Sequence, residues 1–127
     1  MAKVHQEVTF SAAPAAVFRA LTSAAEHAKF TGAPAQISAQ AGGAWSAYGG
    51  QISGYNIELV EGERIVQTWR AGNWAPGVHS LVRVELKPEG NGTKVVLDHD
   101  ALSDEQVPHI DGGWERMYWS KLREFLA

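Results

Sequence analysis

The residues best suited to chemistry are five histidines, His5, His27, His79, His99 and His109, in a chain with no cysteine. Without a thiol there is no disulfide framework and no thiolate nucleophile. No histidine falls in an HExxH or other zinc-type spacing, so no metal and no cofactor is expected. Asp98-His99-Asp100 is the densest titratable cluster. Neighbours on a strand point to opposite faces, so these three cannot ligate side by side. Nucleophilic catalysis needs a nucleophile, a base and an orienting group. The serines lie in turns, caps and strands without a GxSxG elbow. Ser46, Ser53 and Ser80 could face a cavity, and nothing singles one out. Glu61, Glu63, Glu85, Glu89, Asp104 and Glu105 read as solvated faces rather than a glycosidase pair. No catalytic set is assigned, and a binding protein is expected ahead of an enzyme.

Proton transfer is the least implausible chemistry, since it asks only for a histidine or carboxylate in a water-poor pocket. The stretch TWRAGNWAPGVHS (68–80) gathers two tryptophans, an arginine and a histidine. Strand parity divides it. Trp69 is in phase with Ile65 and Gln67, Ala71 to Gly77 is a loop, and Ser80 rather than His79 points inward with Val82 and Val84. Arg70 could meet a carboxylate ligand bidentately, pair with a surface acid or stack on Trp74. On the next strand Val95, Leu97 and His99 share the inward face. An inward His99 is either a core-edge residue satisfied by a hydrogen bond or a ligand contact. Trp114, Met117 and Tyr118 lie on one side of a C-terminal helix, with Trp45, Tyr55 and Trp69 as the opposing strand wall. These six and His99 are the candidate ligand-binding residues. They either line a small apolar site or simply fill a core.

The elements that must hold these residues follow from period and punctuation. VHQEVTF (4–10) alternates as a half-buried strand. Pro14 suits the first turn of a helix carrying Val17, Phe18 and Leu21. Ser23 to Glu26 is a capping box for a second short helix ending near Thr31-Gly32. Strands are read at AQISAQ, AWSAYGG, QISGYNIELV, RIVQTWR, HSLVRVELK and TKVVLDHD. Gly54 marks a bulge or close approach, and PEGNG is a hairpin turn. Ser103 to Gln106 is another capping box. Its helix pauses near Pro108, resumes at Asp111 and runs to the end, with Ile110, Trp114, Met117, Tyr118, Lys121 and Phe125 on one side and Trp119 on the other, at a sheet edge or a dimer interface. Runs of strands followed by a helix argue for α+β. An antiparallel sheet of about six to seven strands would carry the long helix on its face, and if the sheet curves around that helix it leaves a cavity between them.

The chain has 127 residues, enough for one domain over 1–127 with a real core. Net charge is −3 and the 11 Lys and Arg are scattered, so no basic patch offers itself to nucleic acid or an anionic membrane surface. MAKVHQEV lacks a signal-peptide apolar run and no stretch reaches bilayer-spanning length. A soluble, cytoplasmic protein is expected, monomer or homodimer.

The combination GGAWSAYGGQISGYN, IVQTWR-x₃-W-x-PG-x-H-S and GGWERMYW, set within residues 8 to 126, resembles the heat-shock protein 90 ATPase activator homologues. These belong to the START-like, or SRPBCC, helix-grip superfamily. The resemblance implies the helix-grip fold. In the two-domain eukaryotic activators a domain like this one sits at the C-terminal end, and a separate N-terminal domain supplies much of the chaperone grip. Here the matching region begins almost at Met1, so a stand-alone member is expected. Such members resemble small ligand-binding proteins. The family also implies a heat-shock protein 90 type chaperone as a partner, and the wider superfamily implies a cyclase, hydrolase or dehydratase acting on an aromatic or polyketide-like substrate. A small hydrophobic or amphipathic ligand between sheet and helix is the leading expectation, chaperone stimulation the second and enzymatic turnover the third.

Overall fold

In a computed structural model, described over residues 2–127, the first strand β1 (Ala2–Phe10) leads into α1 (Pro14–Thr22) and α2 (Ala24–Thr31). Six strands follow: β2 (Gln36–Ile37), β3 (Ala44–Ala47), β4 (Ile52–Val60), β5 (Arg64–Ala71), β6 (Ser80–Glu89) and β7 (Gly92–Leu102). They form one seven-stranded antiparallel sheet in the order β1-β7-β6-β5-β4-β3-β2. The chain then runs through α3 (Val107–Trp114), a π-helical turn (Glu115–Trp119) and α4 (Ser120–Leu126) as one long helix. The sheet is curved and the architecture is α+β, as the alternation and the closing helical run require.

Local chemistry accounts for the boundaries. Pro14 occupies the first turn of α1, where its missing N–H costs nothing. The Ser23 hydroxyl accepts from the Glu26 N–H, which caps α2, and Gly32 ends that helix in the left-handed region at φ 75°. In β6 the buried residues are Ser80, Val82, Val84 and Leu86, alternating with Leu81 and Arg83 outside. β7 buries Val95, Leu97 and His99 on the same face, in the predicted phase. Gly54 is a close approach: a methyl there would lie 1.8 Å from the Thr68 carbonyl oxygen and 2.8 Å from Trp45 Nε1.

The long helix departs from the predicted pattern in two ways. Pro108 does not interrupt it but sits within its first turn, where proline is tolerated. The irregularity comes later, at the π turn. A wider turn advances the helical phase by about one residue. The buried side therefore runs Ile110, Trp114, Tyr118, Trp119 and Leu122, instead of continuing through Met117 and Lys121. Trp119, expected on the far side, is fully buried. It stacks on Trp114 at 5.2 Å, and its indole N–H donates to Gln6 Oε1 at 2.7 Å.

The outer face of the sheet carries its own device. Asp98 in β7 lies directly between His5 in β1 and Arg83 in β6. It takes contacts from His5 Nδ1 at 2.8 Å, Lys3 Nζ at 3.1 Å and Arg83 at 3.1 Å. Burial pushes its carboxyl up, but the hydrogen bonds from His5, Lys3 and Arg83 outweigh that and hold it down to about 2.

Candidate functional site

His99 is completely buried beneath the long helix. Its Nδ1 lies 3.1 Å from the Trp114 indole nitrogen and its Nε2 2.7 Å from Ser80 Oγ. An indole N–H only donates, so Nδ1 must accept and Nε2 must carry the proton. Ser80 Oγ therefore accepts from His99 and donates its own hydrogen to the Trp69 carbonyl at 2.9 Å. The four residues form a directed chain, Trp114 to His99 to Ser80 to Trp69, which ties the helix to β7, β6 and β5. Ser80 and His99 are at the distance of a nucleophile–base pair, but the polarity is reversed. The histidine donates to the serine, and its only lone pair is occupied by tryptophan. Protonation would set Nδ1–H against the indole N–H. Burial pushes the His99 pKa down to about 4 and keeps the ring neutral. This arrangement fastens helix to sheet and leaves no free base.

Tyr118 makes a second tie one helical turn on. Its hydroxyl lies 2.9 Å from His27 Nε2 on α2. Burial pushes the tyrosine up, with Tyr48 adding to it, and pushes His27 down to about 4. His27 Nδ1 has no hydrogen-bond partner among the described residues. Both side chains border an enclosed space of about 30 Å³, with Trp45, Asn56, Gln67 and Trp114 on its walls. That is room for about one water molecule.

A larger space lies at the end of the helix–sheet contact. An open cleft of about 760 Å³ runs between the β5–β6 loop and the first half of the long helix. Trp69, Ala71 and Trp74 form one wall, and Ile110, Gly113 and Trp114 the other. Met117 and Tyr118 continue the helix wall, and Tyr48 and Ile52 close the side toward β4. The loop wall is held by Arg70, whose guanidinium donates to the carbonyls of Trp74 at 2.7 Å, Ala75 at 3.3 Å and Val78 at 3.3 Å. Arg70 forms no ion pair among the described residues and braces the loop that carries Trp74. Trp74 packs on Trp69 with ring centres 5.4 Å apart. On the other side the Tyr48 hydroxyl donates to the Met117 carbonyl in the π turn. Burial pushes the Tyr48 phenol up to about 12, so it stays a donor.

The predicted residues distribute unevenly. Trp69, Trp114, Met117 and Tyr118 border the cleft, with Met117 38% exposed there. His99 sits behind Trp69 and Trp114, in edge contact with both rings, and borders neither space. Trp45 lines the enclosed space, where its indole N–H donates to the Thr68 carbonyl at 3.2 Å. Tyr55 is on the opposite face of the sheet, 57% exposed, because Gly54 and Asn56 take the inward positions of β4. Parity with Gly54 could have placed it there from sequence. Trp74, Tyr48 and Arg116 were not among the predicted set. The only signal for Tyr48 is the following Gly49-Gly50, both left-handed, which turns its ring back under the helix.

Residues 11–127 match the family described as "Activator of Hsp90 ATPase homolog 1-like protein". The chain belongs to that family. It is 31% identical over 99 residues to an activator of 90 kDa heat shock protein ATPase homolog from Dictyostelium discoideum, covering 77% of this chain and 26% of that protein. It is 25% identical over 122 residues to activator of 90 kDa heat shock protein ATPase homolog 1 from Homo sapiens, covering 96% of this chain and 36% of that one. The chain thus spans about a third or less of these relatives' length. The crystal structure of an HSP90 activator from Plasmodium falciparum superposes with a TM-score of 0.89 at 23% identity, covering 98% of this chain and 95% of that one, a likeness of fold.

Proposed function

We propose that this family member is a non-enzymatic binding domain for a small apolar or amphipathic molecule, held in the cleft between the β5–β6 loop and the long helix. The observation that carries this is the cleft itself: about 760 Å³ walled by Trp69, Trp74 and Trp114. Ligand sites are commonly a few hundred Å³ of mostly apolar wall with a few polar groups. Packed, pre-ordered tryptophans lose little freedom when a ligand arrives. The buried Ser80–His99 pair supports binding over turnover, because its hydrogen bonds are already consumed. Titration of 2-naphthalenemethanol into labelled protein, followed by amide NMR, tests the reading. Shifts should cluster at residues 48–52, 69–74 and 110–117. No shifts at millimolar probe, or shifts confined to the opposite face of the sheet, overturn it.

A second reading has its own support. Tyr55 and Ile57 project from β4 at 57% and 52% exposed, with Leu81 also exposed on β6. Exposed apolar side chains of this kind mark protein contacts, and the family's relatives are named as activators of a 90 kDa heat shock protein ATPase. This reading makes the chain a partner of such a chaperone. ATP turnover by the host's own chaperone should rise with added protein and rise less with a Tyr55→Ser, Ile57→Ser double variant. Unchanged turnover at saturating protein overturns it.

A further inference from the structure

One arginine, Arg116, lines the cleft. Arg19 pairs with Glu26, Arg64 with Glu58, Arg83 with Asp98 and Arg123 with Glu115, and Arg70 is engaged by loop carbonyls. The Arg116 side chain has neither an ion pair nor a hydrogen bond among the described residues, although it lines the cleft. Its position is prepared by an unusual piece of helix. Gly112 and Gly113 stand side by side inside α3, where each glycine costs about 1 kcal/mol relative to alanine. A methyl on Gly112 would lie 3.0 Å from one Arg116 Nη, and one on Gly113 3.9 Å from the other. The missing side chains let the guanidinium lie back along the helix, and they open the cleft floor at Gly113. His109, one and two turns earlier than Gly113 and Arg116 respectively, lies on the same wall. Glu105 also borders the cleft but precedes the helix, more than two turns from Arg116, and forms no ion pair with it.

We infer that the ligand is an amphipathic carboxylate, its ring or alkyl body between Trp69, Trp74 and Trp114 and its carboxylate on the Arg116 guanidinium. This rests on the cleft being the binding site. A planar guanidinium matches a carboxylate with two parallel hydrogen bonds. The apolar walls supply most of the buried surface, and the arginine selects among ring compounds by charge.

The test compares 2-naphthaleneacetate with 2-naphthaleneacetamide, which differ in charge and little in shape, by calorimetry on wild-type protein and Arg116→Gln. In wild type the acetate should bind about tenfold more tightly, the scale of one charge-assisted contact at a partly wet site. In Arg116→Gln both should bind as the acetamide binds wild type. The acetate preference should also shrink as salt rises. Arg116 is exposed and makes no contact that the fold needs, and a circular dichroism melt verifies that the variant is folded. Equal affinities in wild type overturn the carboxylate inference and leave the cleft reading standing. A preference that survives in Arg116→Gln overturns the assignment to Arg116. Failure of both compounds to bind overturns the cleft reading, and this inference with it.

Discussion

Lowering the pH from 7 to 5 should strip a large part of this protein's stability, through two histidines that the fold holds neutral. His99 and His27 are both pushed by burial from 6.5 down to about 4. A depressed histidine is protonated more readily in the unfolded chain than in the folded one. Its contribution is therefore intact above about pH 6.5 and is lost progressively as pH falls toward 4. At pH 5 the unfolded state gains about 2 kcal/mol per histidine relative to the folded state, by the linkage relation with those two values. Together they remove about 4 kcal/mol, against a usual total of about 5–15. For a domain of this size that corresponds to a fall in Tm of roughly 10–15 °C. His5 is raised by its hydrogen bonds to Asp98 and Glu7, so it opposes the loss, but it is solvent-exposed and its share is small. Asp98 is held down and its contribution is lost only as pH falls through about 2, outside the window.

The assay is urea unfolding at pH 7 and 5 for wild type, His99→Gln and His27→Gln. The baseline stability of each variant will drop, since buried hydrogen bonds are altered. The informative quantity is the difference between the two pH values. Each variant should shrink it by about 2 kcal/mol. NMR of the imidazole nitrogens supplies a second readout: His99 should remain the neutral Nε2–H form at pH 5, still hydrogen-bonded to Trp114 and Ser80. A folded-state His99 titrating near 6.5, or a pH difference unchanged in His99→Gln, would refute the claim that the Trp114–His99–Ser80 chain fixes the ring's protonation.

Other substitutions probe the same architecture. Ser80→Ala leaves the His99 Nε2–H without its buried acceptor and removes the hydroxyl donor to the Trp69 carbonyl, so a loss of about 1–3 kcal/mol is expected in chemical denaturation. Gly54→Ala drives a methyl into the Thr68 carbonyl and against the Trp45 indole, so a loss of about 3 kcal/mol is expected, with Trp45 fluorescence shifted. Arg70→Met removes a donor from three loop carbonyls near the surface. Hydrogen exchange over residues 72–79 should speed up at least tenfold while Tm moves by a few degrees or less. Asp98→Asn removes the negative charge and one of the two acceptor oxygens that serve His5, Lys3 and Arg83, at a cost of about 1–2 kcal/mol after allowing for the water around those partners.

What could be read from the sequence was whatever depends on strict local periods. The period-two pattern of β6 and β7 placed Ser80 and His99 inside and His79 outside, because a half-buried strand permits no other phase. Ser23 and Gly32 bounded α2 through chemistry that acts within a single turn. His99 could be placed but not interpreted. Whether an inward histidine is a base or a brace depends on which of its nitrogens meets an obligate donor. Trp114 supplies that donor from a helix 15 positions along the chain. The cleft was the least legible part, and the π turn explains why. Extrapolating a 3.6-residue period through Glu115–Trp119 put Met117 and Lys121 on the buried side and Trp119 on the open side. The widened turn instead packs Tyr118, Trp119 and Leu122 against the sheet, and leaves Arg116 and Met117 at the edge of the cleft. The Tyr48 hydroxyl, reaching from the β3–β4 turn to the Met117 carbonyl, gives that turn a partner outside its own helix. The phase change that packs tryptophan and tyrosine against the sheet is thus the same one that moves the open space, and an arginine without a partner among the described residues, to the mouth of the fold.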